Sequence, residues 1–165
     1  MLQILAHSCG PDGSVDPNDL PYFSGTVETG KGCLVSYVEQ EPFSDITSDE
    51  VLAGDALFGI TSTKGGNSGT SRPKTAFEAV GRYKQALLVA ESDPDRLADA
   101  TSYMDSIVGA WQVLAKADEV MTKLDVKKLE NMPVCKLSGG EKKRVALSSA
   151  LVQEPDVLLL DEVCD

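Results

Sequence analysis

The sequence predicts an α/β fold, and three observations carry that prediction. Asp156–Leu160 (DVLLL) is an apolar run of strand length without alternation, the pattern of a strand buried on both faces of a parallel sheet. Just before it, Ser138-Gly139-Gly140-Glu141 opens a helix that runs to about Val152 and is stopped by Pro155. Further upstream, residues 75–124 place apolar side chains at helical spacing.

The elements follow in chain order. Met1–Ala6 (MLQILA) is apolar with no cap residue before it, so it reads as the end of a helix. His7–Gly25 is rich in Gly, Pro, Ser, Asp and Asn and reads as loop. Gly25–Thr29 and Cys33–Val38 are strand-like, and Gly30-Lys31-Gly32 between them predicts a hairpin, hence an antiparallel strand pair. Gln40-Glu41-Pro42 ends the second strand. Ser48–Leu57 predicts a short helix capped by Ser48. Gly59–Lys74 is poor in apolar residues and predicts a flexible loop.

Thr75–Glu91 predicts a helix with Phe77, Val80, Tyr83, Ala86 and Leu87 on one face. Ser92-Asp93-Pro94 interrupts it, and Pro94 suits the first position of a new helix. That helix is expected to run to about Ala115 along Leu97, Thr101, Met104, Ile107, Val108 and Trp111, with a further turn or two over Ala117–Leu124. Apolar stripes of this kind signal core packing.

Composition bounds the function. The 165 residues have ordinary globular proportions and a formal net charge of −11, which gives the chain as a whole no gain from counterion release on nucleic acid. Cys9, Cys33, Cys135 and Cys164 form no C-x-x-C pair and His7 is the one histidine, so a structural zinc site is not expected. The scattered cysteines suit free thiols in a reducing compartment. No apolar run reaches the roughly 18–20 residues of a membrane span.

Two short constellations carry chemistry. Ser138 and Glu141 form an S-x-x-E capping box, and Gly139 and Gly140 leave backbone N–H groups uncovered at a helix N-terminus, a setting suited to phosphate. Asp161 stands at the carboxyl end of the apolar strand, where α/β folds place ligands and a carboxylate can hold Mg²⁺. Glu162 beside it could orient and deprotonate a water for attack on phosphorus. Taken singly, each is as well explained by a capped helix or by two acids at a strand exit.

Taken together, the stretch LSGGEKKRVALSSALVQEPDVLLLDE resembles the signature motif and Walker B strand of ATP-binding cassette (ABC) ATPases in order and spacing. VSYVEQEP resembles that family's Q-loop, and MLQILA with its Pro-Asp-Gly loop resembles the helix after the phosphate loop. Gly109-Ala110-Trp111 and Lys142-Lys143-Arg144 resemble the ABC-F subfamily, whose members are soluble, two-cassette proteins mostly acting on ribosomes. The resemblance implies a partial ABC nucleotide-binding domain with an incomplete P-loop NTPase core sheet. Residues 1–58 would form an incomplete core with the Q-loop, 59–74 a flexible loop, 75–130 a helical subdomain, and 131–165 the signature helix and Walker B strand.

It further implies ATP and Mg²⁺ as ligands, with Gln40 and Asp161 at the metal and Glu162 catalytic. Gln40, Leu137, Ser138, Gly139, Gly140 and Glu141 would contact nucleotide, the signature residues doing so in the ATP site of an opposing cassette. The implied partners are a second cassette and the ribosome, in the cytoplasm or an organelle. The alternatives are the nucleotide-binding subunit of an ABC transporter and a short non-catalytic cassette that pairs with an intact one.

The Walker A pattern, G-x-x-x-x-G-K followed by Ser or Thr, is not met: Lys31 is followed by Gly32, and Lys64 and Lys142 lack the context. In the family that loop would lie just before Met1. A switch histidine would follow the Asp-Glu pair, a place His7 does not occupy. The resemblance therefore implies the middle of one cassette, inactive in isolation because the phosphates lack their nest of N–H donors and its lysine.

Overall fold

The computed structural model describes residues 33–60 and 75–161. Strands β1 (Val35–Val38) and β2 (Val157–Leu160) pair in parallel, with Val35 opposite Val157 and Val38 opposite Leu160. The ladder continues past both ends. Asp156 and Val157 N–H donate to the Leu34 carbonyl at 2.8 and 3.2 Å, and Asp161 N–H donates to the Val38 carbonyl at 3.1 Å. A parallel pair needs a long crossover. Here it is a run of helices: α1 (Ala53–Leu57), α2 (Ala76–Leu88), α3 (Pro94–Ser106), α4 (Ala110–Lys123) and α5 (Gly139–Val152).

Three of these helices begin as the sequence predicts. The Thr75 hydroxyl caps α2 by accepting from Glu78 N–H at 3.2 Å. The Asp93 carboxylate caps α3 by accepting from Arg96 N–H at 3.1 Å, with Pro94 at the first helical position. Ser138 and Glu141 form the predicted capping box of α5. One apolar cluster joins α1 to α5, with Leu57, Val80, Met104, Met121, Val126, Val134 and Val145 among its most deeply buried members. Phe58 stacks on Phe77 at 5.2 Å between ring centroids, fixing α1 against α2.

The structure corrects four expectations. The helix expected from Ser48 begins instead at Ala53, because residues 51–54 hydrogen-bond to residues 130–134; Ser48 caps only a local turn, accepting from Glu50 N–H at 3.1 Å. The long helix expected to reach Ala115 is two helices: Ile107 is extended, Val108 is fully exposed and Gly109 is left-handed at φ +88°, a conformation that glycine adopts without a Cβ penalty. Leu87, assigned to the packed face of α2, is exposed; the buried face runs through Ala79, Val80, Gly81 and Ala86.

Strand β2 is the fourth correction. It is not buried on both faces: Val157 and Leu160 are 42% and 39% exposed. Among the described residues the sheet has two strands, so each is an edge, and α5 is the helix that packs on it. The expected antiparallel partner of β1 and its Gly30–Gly32 turn lie outside the described residues, as do residues 61–74 of the expected loop. The described chain is thus a mixed α/β structure with a small parallel sheet.

Candidate functional site

The parallel register sets the geometry of the site. Val38 faces Leu160, so the chain leaves both strands at one carboxyl edge, with Gln40 two residues past β1 and Asp161 one past β2. Asp161 lies two residues beyond Leu159 and so shares its face of the sheet. Tyr37 is the registered partner of Leu159, and its phenol reaches diagonally to donate to Asp161 Oδ2 at 2.9 Å. Tyr37 thereby orients the carboxylate. Glu162 lies outside the described residues.

Helix α5 brings its first turn to the same neighbourhood. A cleft of about 330 Å³ is lined by Gln40, Glu41, Pro42, Gly139, Lys142 and Lys143, so the segment after β1 and the start of α5 are its two walls. Phe43, next in that segment, holds φ +62°, an uncommon conformation for a bulky residue. A larger cleft of about 860 Å³ lies elsewhere, by Leu34 and the C-terminal end of α5, and none of the sequence-selected site residues lines it.

The first turn of α5 is built for rigidity. Ser138 N–H and its hydroxyl donate to Glu141 Oε2 at 2.8 and 2.7 Å, while Glu141 N–H donates back to Ser138 Oγ at 3.4 Å. The Ser138 hydroxyl and backbone bonds hold the Glu141 carboxyl below the usual glutamate range. Leu137 is buried and anchors the turn, whereas Ser138, Gly139 and Gly140 are exposed. A Cβ at Gly139 or Gly140 would meet nothing within 4 Å, and neither has a left-handed backbone. This chain's own packing therefore does not demand glycine there. What the two glycines preserve is an open approach to helix N-terminal amides.

A third feature had no sequence signal. Asp49 bonds Lys136 at 2.6 Å and accepts from Cys135 Sγ at 3.0 Å, tying the chain after Gln40 to the residues before Leu137. The Cys135 thiol and then Lys136 hold the Asp49 carboxyl below its ordinary range, and Asp49 pushes the thiol up. Tyr37 was likewise missed, because its role depends on a strand register that spacing along the chain does not specify.

These placements can be set beside known proteins. The model of the family described as ABC transporter matches residues 27–165. The chain belongs to the ABC transporter family, as one of its ATP-binding domains. It is 36% identical over 89 residues to energy-coupling factor transporter ATP-binding protein EcfA2 of Clostridium perfringens, covering 49% of the chain and 31% of that relative. It is 32% identical over 155 residues to a putative ABC transporter ATP-binding protein of Streptomyces avermitilis, covering 93% and 26%. It is 35% identical over 88 residues to cobalt import ATP-binding protein CbiO of Rhodobacter capsulatus, covering 49% and 31%. The chain thus spans less than a third of the length of these relatives. No solved structure matches it significantly.

The relatives' names speak of transporters, so the ribosome-linked reading of Trp111 and Lys142-Lys143-Arg144 gains no support from them. No helix among the described residues is long and apolar enough to cross a membrane. Residues 25–32 hold part of the Walker A spacing, in Gly25, Gly30 and Lys31, but Gly32 stands where a hydroxyl is needed and Gln40 follows too soon for an intervening helix.

Proposed function

We propose that this chain is part of the ATP-binding component of an ABC transporter and that it works on ATP in two places. Residues 1–58 would belong to the core with Gln40, 75–130 to a helical subdomain, and 131–165 to the signature helix and Walker B strand. At the carboxyl edge of the sheet, Asp161 and Gln40 would hold Mg²⁺, and Glu162 would take the proton of the attacking water. At the start of α5, the amides of Gly139 and Gly140 would face the phosphates of ATP bound by an opposing cassette, and the Ser138 hydroxyl would turn to them from Glu141. Leu137 and Glu141 would hold that turn in shape.

The observation that carries this reading is the in-register parallel pairing, which brings Gln40 and Asp161 to one edge beside the bare first turn of α5. The residues present fit the ligands. Tyr37 engages one oxygen of Asp161. One carboxylate and one amide carbonyl at the sheet edge would suit Mg²⁺, which keeps water and phosphate oxygens in its shell. Mg²⁺ supplies charge neutralisation on the phosphates when bound.

The test is to tag the native gene, fractionate the cell and assay the captured assembly. Recovery with a membrane fraction, with ATPase activity lost on Glu162→Gln, is expected. Recovery with ribosomes, or activity indifferent to Glu162→Gln, would overturn the proposal.

A further inference from the structure

Residues 51–54 and 130–134 form a short antiparallel clamp that no motif announces. Leu52 bridges Pro133; Ala53 N–H donates to the Met132 carbonyl, Gly54 N–H to the Glu130 carbonyl and Val134 N–H to the Val51 carbonyl, each at 2.9 Å. From Val134 the path is fixed directly into the signature turn. Val134 is fully buried, its carbonyl accepts from Leu137 N–H at 3.1 Å, and Leu137 is buried in turn. Ser138 follows.

The clamp closes tightly at one point. A Cβ on Gly54 would stand 2.8 Å from Glu130 Cγ and 3.1 Å from the Glu130 carbonyl oxygen. A side chain on residue 54 would therefore require Glu130 to shift, and glycine avoids that. Glu130 is held from the other side by Lys84 of α2 and by Lys127, the latter at 2.9 Å, with Lys127 also bound to Asp118 at 2.6 Å. Burial would raise the Glu130 carboxyl; the two lysines outweigh it and hold the group below the glutamate range. The Asp49 contacts with Cys135 and Lys136 add a second tie between the same two segments.

We propose that Gly54 and Glu130 are positioning residues for the signature turn, setting the place of Ser138–Glu141 relative to the segment that carries Gln40. The clamp makes these two segments move as one body, so a change at the Gln40 wall of the cleft is felt at Ser138 through backbone hydrogen bonds. This role deepens the transporter reading above. Amide exchange in the free chain needs neither nucleotide nor partner, so failure of the clamp and failure of that reading are separate results.

The experiment is site-resolved hydrogen exchange on the full 165-residue chain. Gly54→Ala is expected to speed exchange at residues 132–141 by about tenfold, with amides of α3 unchanged. The Glu141 carboxyl, depressed by its bonds to Ser138, is expected to titrate closer to an ordinary glutamate as the turn loosens. A rise confined to residues 51–57, with Glu141 unmoved, overturns the proposal. Should Gly54→Ala unfold the chain or accelerate α3 as well, Glu130→Gln decides, since it keeps the volume and removes both ion pairs. A roughly threefold rise at 132–141 is then expected, and no change overturns the proposal.

Discussion

Substituting Ala for Gly140 should stabilise the chain, although Gly140 belongs to its most recognisable motif. Gly140 is in the first turn of α5 with a right-handed backbone, and a Cβ there meets no atom within 4 Å. Alanine then restricts the unfolded chain and favours the helix without a clash, a gain of about 0.5 kcal/mol. With an m-value of about 2 kcal/mol/M, the urea midpoint should rise by about 0.25 M. Gly109 is the internal control. Its Cβ space is equally open, yet its φ is +88°. Gly109→Ala should lose about 1 kcal/mol and lower the midpoint by about 0.5 M. A lowered midpoint for Gly140→Ala would refute the reasoning, since it would mean that the chain itself needs the glycine. The added methyl stands over the exposed amides, so the proposed function expects Mg²⁺-ATP-dependent pairing with a second cassette to fall as stability rises. Unchanged pairing would remove the bare amides from the contact.

Three further outcomes follow from the packing. Leu57 is fully buried in the cluster that joins the helices, so Leu57→Ala should destabilise by about 2–5 kcal/mol, measured by urea unfolding. Asp55 is buried on α1, and that burial raises its carboxyl despite a backbone bond to Leu52 and the charge of Lys84. Because the folded chain binds this proton more tightly than the unfolded chain, stability should fall as pH rises from the ordinary Asp range through the raised value. Asp55→Asn should flatten that slope and gain stability at neutral pH, read from urea midpoints between about pH 4 and 7. Glu154 follows the last turn of α5 at φ +51° and pairs with Lys116 at 3.3 Å through exposed side chains. Glu154→Gly should therefore raise Tm by about 2–4 °C, as relief of the left-handed backbone outweighs a surface ion pair.

What was legible in the sequence was local or familial. The Ser138 cap, the helix starts at Thr75 and Pro94 and the stop at Pro155 each depend on side chains within four residues of the backbone they serve, and these boundaries were read close to where they fall, whereas the Ser48 start and the Ala115 end were not. The long-range features were not legible. Leu52 looks like helix interior until Pro133 pairs with it, and Gly109 inside an apolar stripe gives no sign that Val108 will point to solvent. Tyr37 reads as an ordinary strand aromatic until the register lays it diagonally across from Asp161. Unbroken hydrophobicity in β2 reported what the strand tolerates, which is cover on both faces, rather than the cover that the described residues provide.

The two halves of the candidate site differ in how they use this chain. Asp161 and Gln40 converge through a sheet register, with Tyr37 adding a bond inside the chain, so their geometry is intrinsic. The signature turn is the reverse. Ser138 and Glu141 spend their hydrogen bonds on each other, Leu137 is buried, and what remains facing outward is two glycines with open space above them. A helix start that is rigid and bare has the form expected of the half-site proposed above. Pairing with a second cassette would explain why its glycines stand where the fold does not need them. The clamp through Gly54 and Glu130 gives the two halves a mechanical link, because the segment that leaves Gln40 and the segment that enters Ser138 share one set of backbone hydrogen bonds. Occupation of the Gln40 edge could then be felt at the outward-facing turn without any hinge between them. In that arrangement, the tightest point of the link is the contact of Gly54 with Glu130, well outside the motifs by which the family is recognised.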